Sequence, residues 1–184
     1  MVDASPAEVW AEVEQLLARA DHLTAVRWAA ECAARAAARF EVDGAVDPRL
    51  ARALDHVSAW LDDGALDEVA HHSAVIGAHN AARSLPDRTG VRAAARAVAQ
   101  AVATLRAPEH AIGAAMYAGM AARDARAPEG PPDVGAAATE RVLQRDRLAA
   151  LVAGPGYSEE APGEGVEDAT WSPHTARAPE SPTR

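Results

Sequence analysis

Six side chains have the types that polar chemistry uses: Glu31, Cys32, His79, Arg83, His110 and Tyr117. Gathered between helices they would make a ligand pocket or a small acid–base site. Histidine and glutamate would move protons, cysteine would serve as nucleophile, and arginine and tyrosine would hold a polar or anionic group. His79 and Arg83 are i, i+4 neighbours and share one helix face. A catalytic thiol needs a depressed pKa, and no flanking residue demands one for Cys32. The only cysteine of the chain therefore reads as a small buried hydrophobe.

Metal chemistry has a stricter spacing requirement. His72 and His79 are seven residues apart, two turns distant on the same face, whereas a helical metal pair normally uses i, i+4. No metal site or cofactor is expected. Nucleophile elbows, phosphate-cradling glycine loops and paired carboxylates are also missing from the sequence, so no catalytic residue is assigned and the chain does not read as an enzyme. Gly113 and Gly119 sit among alanines in "GAAMYAGMAA". An interior helical glycine costs about 1 kcal/mol relative to alanine, which predicts close approach of a neighbouring helix at both positions.

A different chemistry is offered by Asp62, Asp63, Asp67 and Glu68, which straddle Gly64. Acids at the start of a helix are favoured by its dipole, which accounts for Asp67 and Glu68; acids at a helix end, as at Asp62 and Asp63, are disfavoured. The mismatch marks this corner as a candidate surface for a basic partner.

The elements that must position these residues are clearly punctuated. "SPAE" supplies Ser5 as N-cap, Pro6 at the first helical position and Glu8 for a capping box. This predicts a helix to about Arg19. Further helices are expected over about Asp21–Glu41, from Pro48 to a stop at Gly64, over Ala65–Leu85, over Val91–Arg106, from Pro108 until "APEGPPD", and over Val134–Val152. No segment shows β alternation. The fold class is all-α: a compact bundle of six or seven alanine-rich helices. The chain divides into an N-terminal helix (1–20), a helical domain (21–152) and a tail (153–184). The tail is rich in Pro, Gly, Ser and Glu and is expected to be disordered, with Trp171 an incidental exposed residue within it.

Within "AVRWAAECAARAAARF", Val26, Ala29, Ala33, Ala36, Ala37 and Phe40 form the expected core stripe. Arg27, Glu31 and Arg35 form an i, i+4 row of alternating charge, expected to be a solvated ladder. Trp28 and Cys32 fall on the flank between the two, at the edge of the helix interface.

Composition bounds the partners. The 184 residues suit one domain. All eighteen basic residues are arginine and the net charge is −9. Residues 1–69 hold fourteen acids against six arginines, while residues 70–152 hold seven against ten. An acidic chain disfavours direct nucleic-acid binding and suits a basic protein partner. No apolar run approaches the ~20 residues of a membrane span. The start "MVDASPAEVW" has no secretory-signal pattern, and a single cysteine fits a reducing compartment. A cytoplasmic location is expected.

Taken in order, "RWAAECAARAAARFE", "DPRLARALDHVSAWLDDG", "AHNAAR", "RAAARAVAQAVATLRAPEHAIGAAMYA" and "ERVLQRDRLAALV" resemble the Imm-5 family of bacterial immunity proteins, associated with polymorphic toxin systems. The resemblance covers roughly residues 21–152. It implies stoichiometric neutralisation of a cognate toxin domain without turnover, and an acidic inhibitor would suit a basic nuclease. Two departures stand out. Family members often have a histidine after "AVAT", where this chain has Leu105-Arg106, and a tryptophan where Val142-Leu143 stands. The other readings are a small helical enzyme or ligand-binding protein built on the six residues above, and a structural or regulatory module that would form a homodimer through its alanine-rich helices.

Overall fold

A computed structural model describes residues 5–40, 46–85, 89–126 and 130–154. Among these residues seven helices follow one another: α1 (Pro6–Arg19), α2 (His22–Ala38), α3 (Pro48–Asp63), α4 (Glu68–Ser84), α5 (Gly90–Thr104), α6 (His110–Arg123) and α7 (Val134–Ala153). No strand occurs among the described residues. The all-α expectation holds, at the upper count of helices. The expectations for the tail after Gly154, Trp171 included, lie outside the described residues.

Polar side chains start nearly every helix by accepting an N–H that has no partner within the helix. Ser5 and Glu8 form the reciprocal capping box of α1. Asp21, Asp47, Asp67, Thr89 and Asp133 cap α2, α3, α4, α5 and α7. The fourth helix starts three residues later than Ala65. Gly64 turns into the left-handed region at φ 70°, the Asp63 carboxylate accepts the Ala65 N–H at 2.8 Å, and Asp67 supplies the cap.

Packing relies on small side chains. At the centre lies α5, in contact with α2, α3, α4 and α6. Ala93, Ala94, Ala95, Ala97, Val98, Ala99, Ala101 and Val102 are all buried along it. Its first residue is the most closely approached of the described glycines: a Cβ on Gly90 would fall 2.5 Å from Phe40 Cζ and 2.8 Å from the Asp124 carbonyl oxygen. At Gly113 the expected close neighbour is the Gln100 side chain, whose Oε1 would lie 2.7 Å from an added Cβ. At Gly119 the expectation fails. No heavy atom outside the helix's own nearby backbone lies within 4 Å of the site its Cβ would take.

Consecutive helices from α2 to α7 run antiparallel. His22 at the start of α2 stacks on Trp60 near the end of α3, Arg49 at the start of α3 reaches Ser84 at the end of α4, and Gln100 meets His110 across the α5–α6 turn. The first helix packs on α7, with Glu12 on Arg145 and Arg141 over the Trp10 ring. The alternation sorts charge between the two ends. Asp21, Asp62, Asp63, Asp67, Glu68 and Glu109 share one end with Arg19 and Arg106; Arg35, Arg39, Arg49, Arg83 and Arg123 share the other with Asp47, Asp124 and Asp133. The last turns of α2, α4 and α6 are basic, as the helix dipole favours. No described helix is long and apolar enough to cross a membrane.

Candidate functional site

The acidic corner is built by the α3–α4 turn. Gly64 ends one helix and Asp67 opens the next, so Asp62, Asp63, Asp67 and Glu68 fall within a single tight bend, and all four are exposed. Each has a different local anchor. Asp63 accepts the Ala65 N–H, as noted, and Asp67 accepts those of Val69 at 2.9 Å and Ala70 at 3.0 Å. The Ala70 and Val69 amides hold the Asp67 carboxyl below the usual carboxylate range. Glu68 pairs with Arg106 at the end of α5. Asp62 has no hydrogen-bond or ion-pair partner among the described residues. Beside them Val69 is 80% exposed, the most exposed large apolar side chain described.

The six pocket candidates are spread over three helices, α2, α4 and α6. Glu31, on α2, receives both Nε and Nη2 of Arg147 from α7, at 2.6 and 2.7 Å. Cys32 is fully buried beside it. Burial pushes its thiol up to about 12, which makes it inert at neutral pH in the folded chain. His79 and Arg83 lie exposed on α4, with Arg83 reaching Asn80 at 3.4 Å. The His110 Nδ1–H donates to Gln100 Oε1 at 2.8 Å. The Tyr117 ring lies 5.6 Å beneath the Arg96 guanidinium. Glu31 and Cys32 are chain neighbours, but no side-chain hydrogen bond or ion pair among the described residues joins any two of the six; the Cys32 sulfur accepts from Arg35 Nη2 at 3.6 Å. No group of three or more His, Cys, Asp and Glu side chains among the described residues is placed to hold a metal.

Two clusters escape a residue-by-residue reading of the sequence. The first surrounds Glu140, a carboxylate only 1% exposed. Its Oε1 accepts from Arg35 Nη2 at 3.2 Å and Gln144 Nε2 at 3.1 Å, and its Oε2 accepts from Arg39 Nη2 at 2.8 Å. Gln144 is equally buried. Its side-chain amide also donates to the Ala115 carbonyl at 3.1 Å, and its main-chain carbonyl accepts the Trp28 indole N–H at 2.8 Å. This cluster corrects the reading of α2. Trp28 and Cys32 are at the centre of the core rather than at an interface edge, and Arg35 and Glu31 bind α7 rather than each other. The physical reason is the seventh helix, which lies over that flank and brings opposite charges from more than a hundred residues away. The i, i+4, i+8 stripe Glu140–Gln144–Leu148 was the available signal, but nothing local distinguishes that glutamate from the exposed Asp146.

The second cluster is the pair His56 and His71, with ring centroids 5.6 Å apart across the α3–α4 interface. His56 Nε2 and His71 Nδ1 are buried without a hydrogen-bond partner among the described residues. Desolvation first, and the nearby His56 and His72 second, push the His71 pKa down.

Comparison with known proteins gives one match. The family model described as "Imm-5 like putative immunity protein" matches residues 15–151, more than half of the chain, starting within α1. No curated protein and no solved structure matches.

Proposed function

We propose, from the premise that the chain belongs to the Imm-5 like family, that it neutralises a cognate toxin by stoichiometric binding in the cytoplasm. The single observation that carries this reading is the family match, which spans α2–α6, the last turn of α1 and most of α7. The chemistry is consistent with it. Glu31, Cys32, His79, Arg83, His110 and Tyr117 are each engaged elsewhere or turned to solvent, which favours a binding protein over a catalyst.

The binding surface in this reading is the α3–α4 corner. Asp62, Asp63, Asp67 and Glu68 present their charge at the exposed acidic end of the bundle, suited to a basic toxin such as a nuclease. Like a phosphate backbone, such a corner speeds the encounter of a basic surface, and apolar contact beside it supplies the affinity. Val69 is the adjacent apolar contact.

The test is co-expression with the toxin domain encoded beside this gene. Protection of the cell and a 1:1 complex of purified chains are the expected results. A toxin that kills at full potency in the presence of the folded chain, and does not bind it, would overturn the proposal.

A further inference from the structure

The helices differ sharply in how they are held. The α2, α5 and α6 contact is a close-packed field of buried alanine and valine, including Ala29, Ala33, Ala97, Val98, Ala115 and Ala118. The fully buried side chains of α7 are Glu140, Gln144 and Leu148, of which only one is apolar; Leu151 and Val152 are partly buried against the core, and α7 rests on α6 as well as on α2. What fixes α7 on α2 is largely polar: the Arg35–Glu140–Arg39 cluster, the Arg147–Glu31 pair and the Trp28 indole on the Gln144 carbonyl. A buried ion pair contributes little net stability, because desolvation offsets most of its attraction. The Oε1 of Gln144 is buried without a partner among the described residues, which is a further cost. The Arg147–Glu31 pair is partly exposed and so weakened by salt. On its outer side α7 carries α1, joined to it by Arg145–Glu12 and by Arg141 over Trp10.

From this contrast we infer that α1 and α7 form a strap that opens together from the α2–α6 body without global unfolding, with Glu140 as its pin. Regions held by few buried apolar contacts open at lower free energy than the core they cover. Opening would uncover the α2 flank beneath α7, where Trp28 and Cys32 lie. The chain's only cysteine is thus a built-in reporter of the strap.

The test is the reaction of the full-length chain with DTNB, in which the Cys32 thiolate attacks the reagent's disulfide and thionitrobenzoate leaves. At low urea the rate should exceed that set by global unfolding and depend only weakly on urea. Raised salt should increase it. Glu140→Gln, which removes the charge facing two arginines, should increase it tenfold or more. Glu31→Gln, which touches only the exposed pair and keeps the test valid if the first variant does not fold, should increase it severalfold. Val98→Ala, in the body, should lower global stability and leave the low-urea rate unchanged. Amide exchange should show α1 and α7 opening together ahead of α5. The inference is overturned if Cys32 reacts only with the urea dependence of global unfolding and responds to Val98→Ala in proportion. It is equally overturned if α1 and α7 amides exchange no faster than those of α5.

Discussion

Arg39, at the end of α2, places Nη2 2.8 Å from Oε2 of Glu140, a fully enclosed carboxylate on α7. With Arg35 on the other oxygen, two partly exposed cations converge on one buried anion. Removing that anion leaves the arginines facing each other and Gln144 without one of its acceptors. Breaking a buried pair costs about 3–5 kcal/mol, and the partial exposure of both arginines places Glu140→Ala near the lower bound. Urea unfolding of the variant measures this. A loss below half a kilocalorie would mean that water already screens the cluster.

Stability should fall as the solution becomes mildly acidic, because of His71. Its folded pKa lies below the ordinary value of 6.5, so the fold prefers the neutral ring. The unfolded chain therefore binds a proton first, and the stability gained from the neutral state is complete above about pH 6.5 and lost as pH falls below it. The urea midpoint should drop between pH 7.5 and 5.5. His71→Gln should flatten that dependence, and an equally steep profile in the variant would assign it elsewhere. Asp67 acts in the same direction in a lower window, below about pH 4, where its cap becomes protonated.

Two glycines should respond oppositely to the same substitution. Gly119→Ala fills open space inside α6 and should raise stability by about 0.5–1 kcal/mol from helix propensity. Gly90→Ala would drive a methyl group into Phe40 and two backbone carbonyls and should cost about 1–3 kcal/mol. Thermal unfolding of the pair checks both signs, and a destabilised Gly119→Ala would reveal a neighbour that the packing does not show.

Charge reversal at the α3–α4 corner should slow association with a basic toxin tenfold or more at low ionic strength. Replacing Asp62, Asp63, Asp67 and Glu68 together by lysine gives the largest effect but also removes the cap of α4, a loss of about 1 kcal/mol. Asp62→Lys alone disturbs no local hydrogen bond and should give a smaller slowing in an intact fold. Stopped-flow binding at two salt concentrations separates the cases. An unchanged on-rate in the fourfold variant would exclude this corner as the docking face.

Helix positions were legible because their determinants are local. Ser5, Pro6 and Glu8, Asp47 with Pro48, and Gly64 each act within a turn of the backbone they control, and the helices start and stop close to them. The start of α4 was expected at Ala65 and lies at Glu68, because the left-handed Gly64 and the Asp63 side chain hold the Ala65 amide outside the helix and Asp67 caps it. The acidic corner could be read as a group because its members are close in sequence. The Glu140 cluster could not, since its arginines and its carboxylate are separated by about a hundred residues, and every one of them looks like an ordinary surface charge in its own helix.

By itself, then, the sequence determined the helical class, the caps, the alanine-rich core stripe and the family pattern, because propensity, capping and periodicity are short-range. Only the tertiary structure decided which charges are surface and which are structural. Antiparallel packing placed the acids of α2, α3 and α4 at one end and the arginines of α2, α4 and α6 at the other. Laying α7 over α2 turned two members of an expected solvent-facing row, Glu31 and Arg35, into partly exposed ion-pair partners of α7 and enclosed Trp28 and Cys32. Coulomb energy and desolvation depend on distance and burial in three dimensions, and neither quantity is defined until the helices have packed.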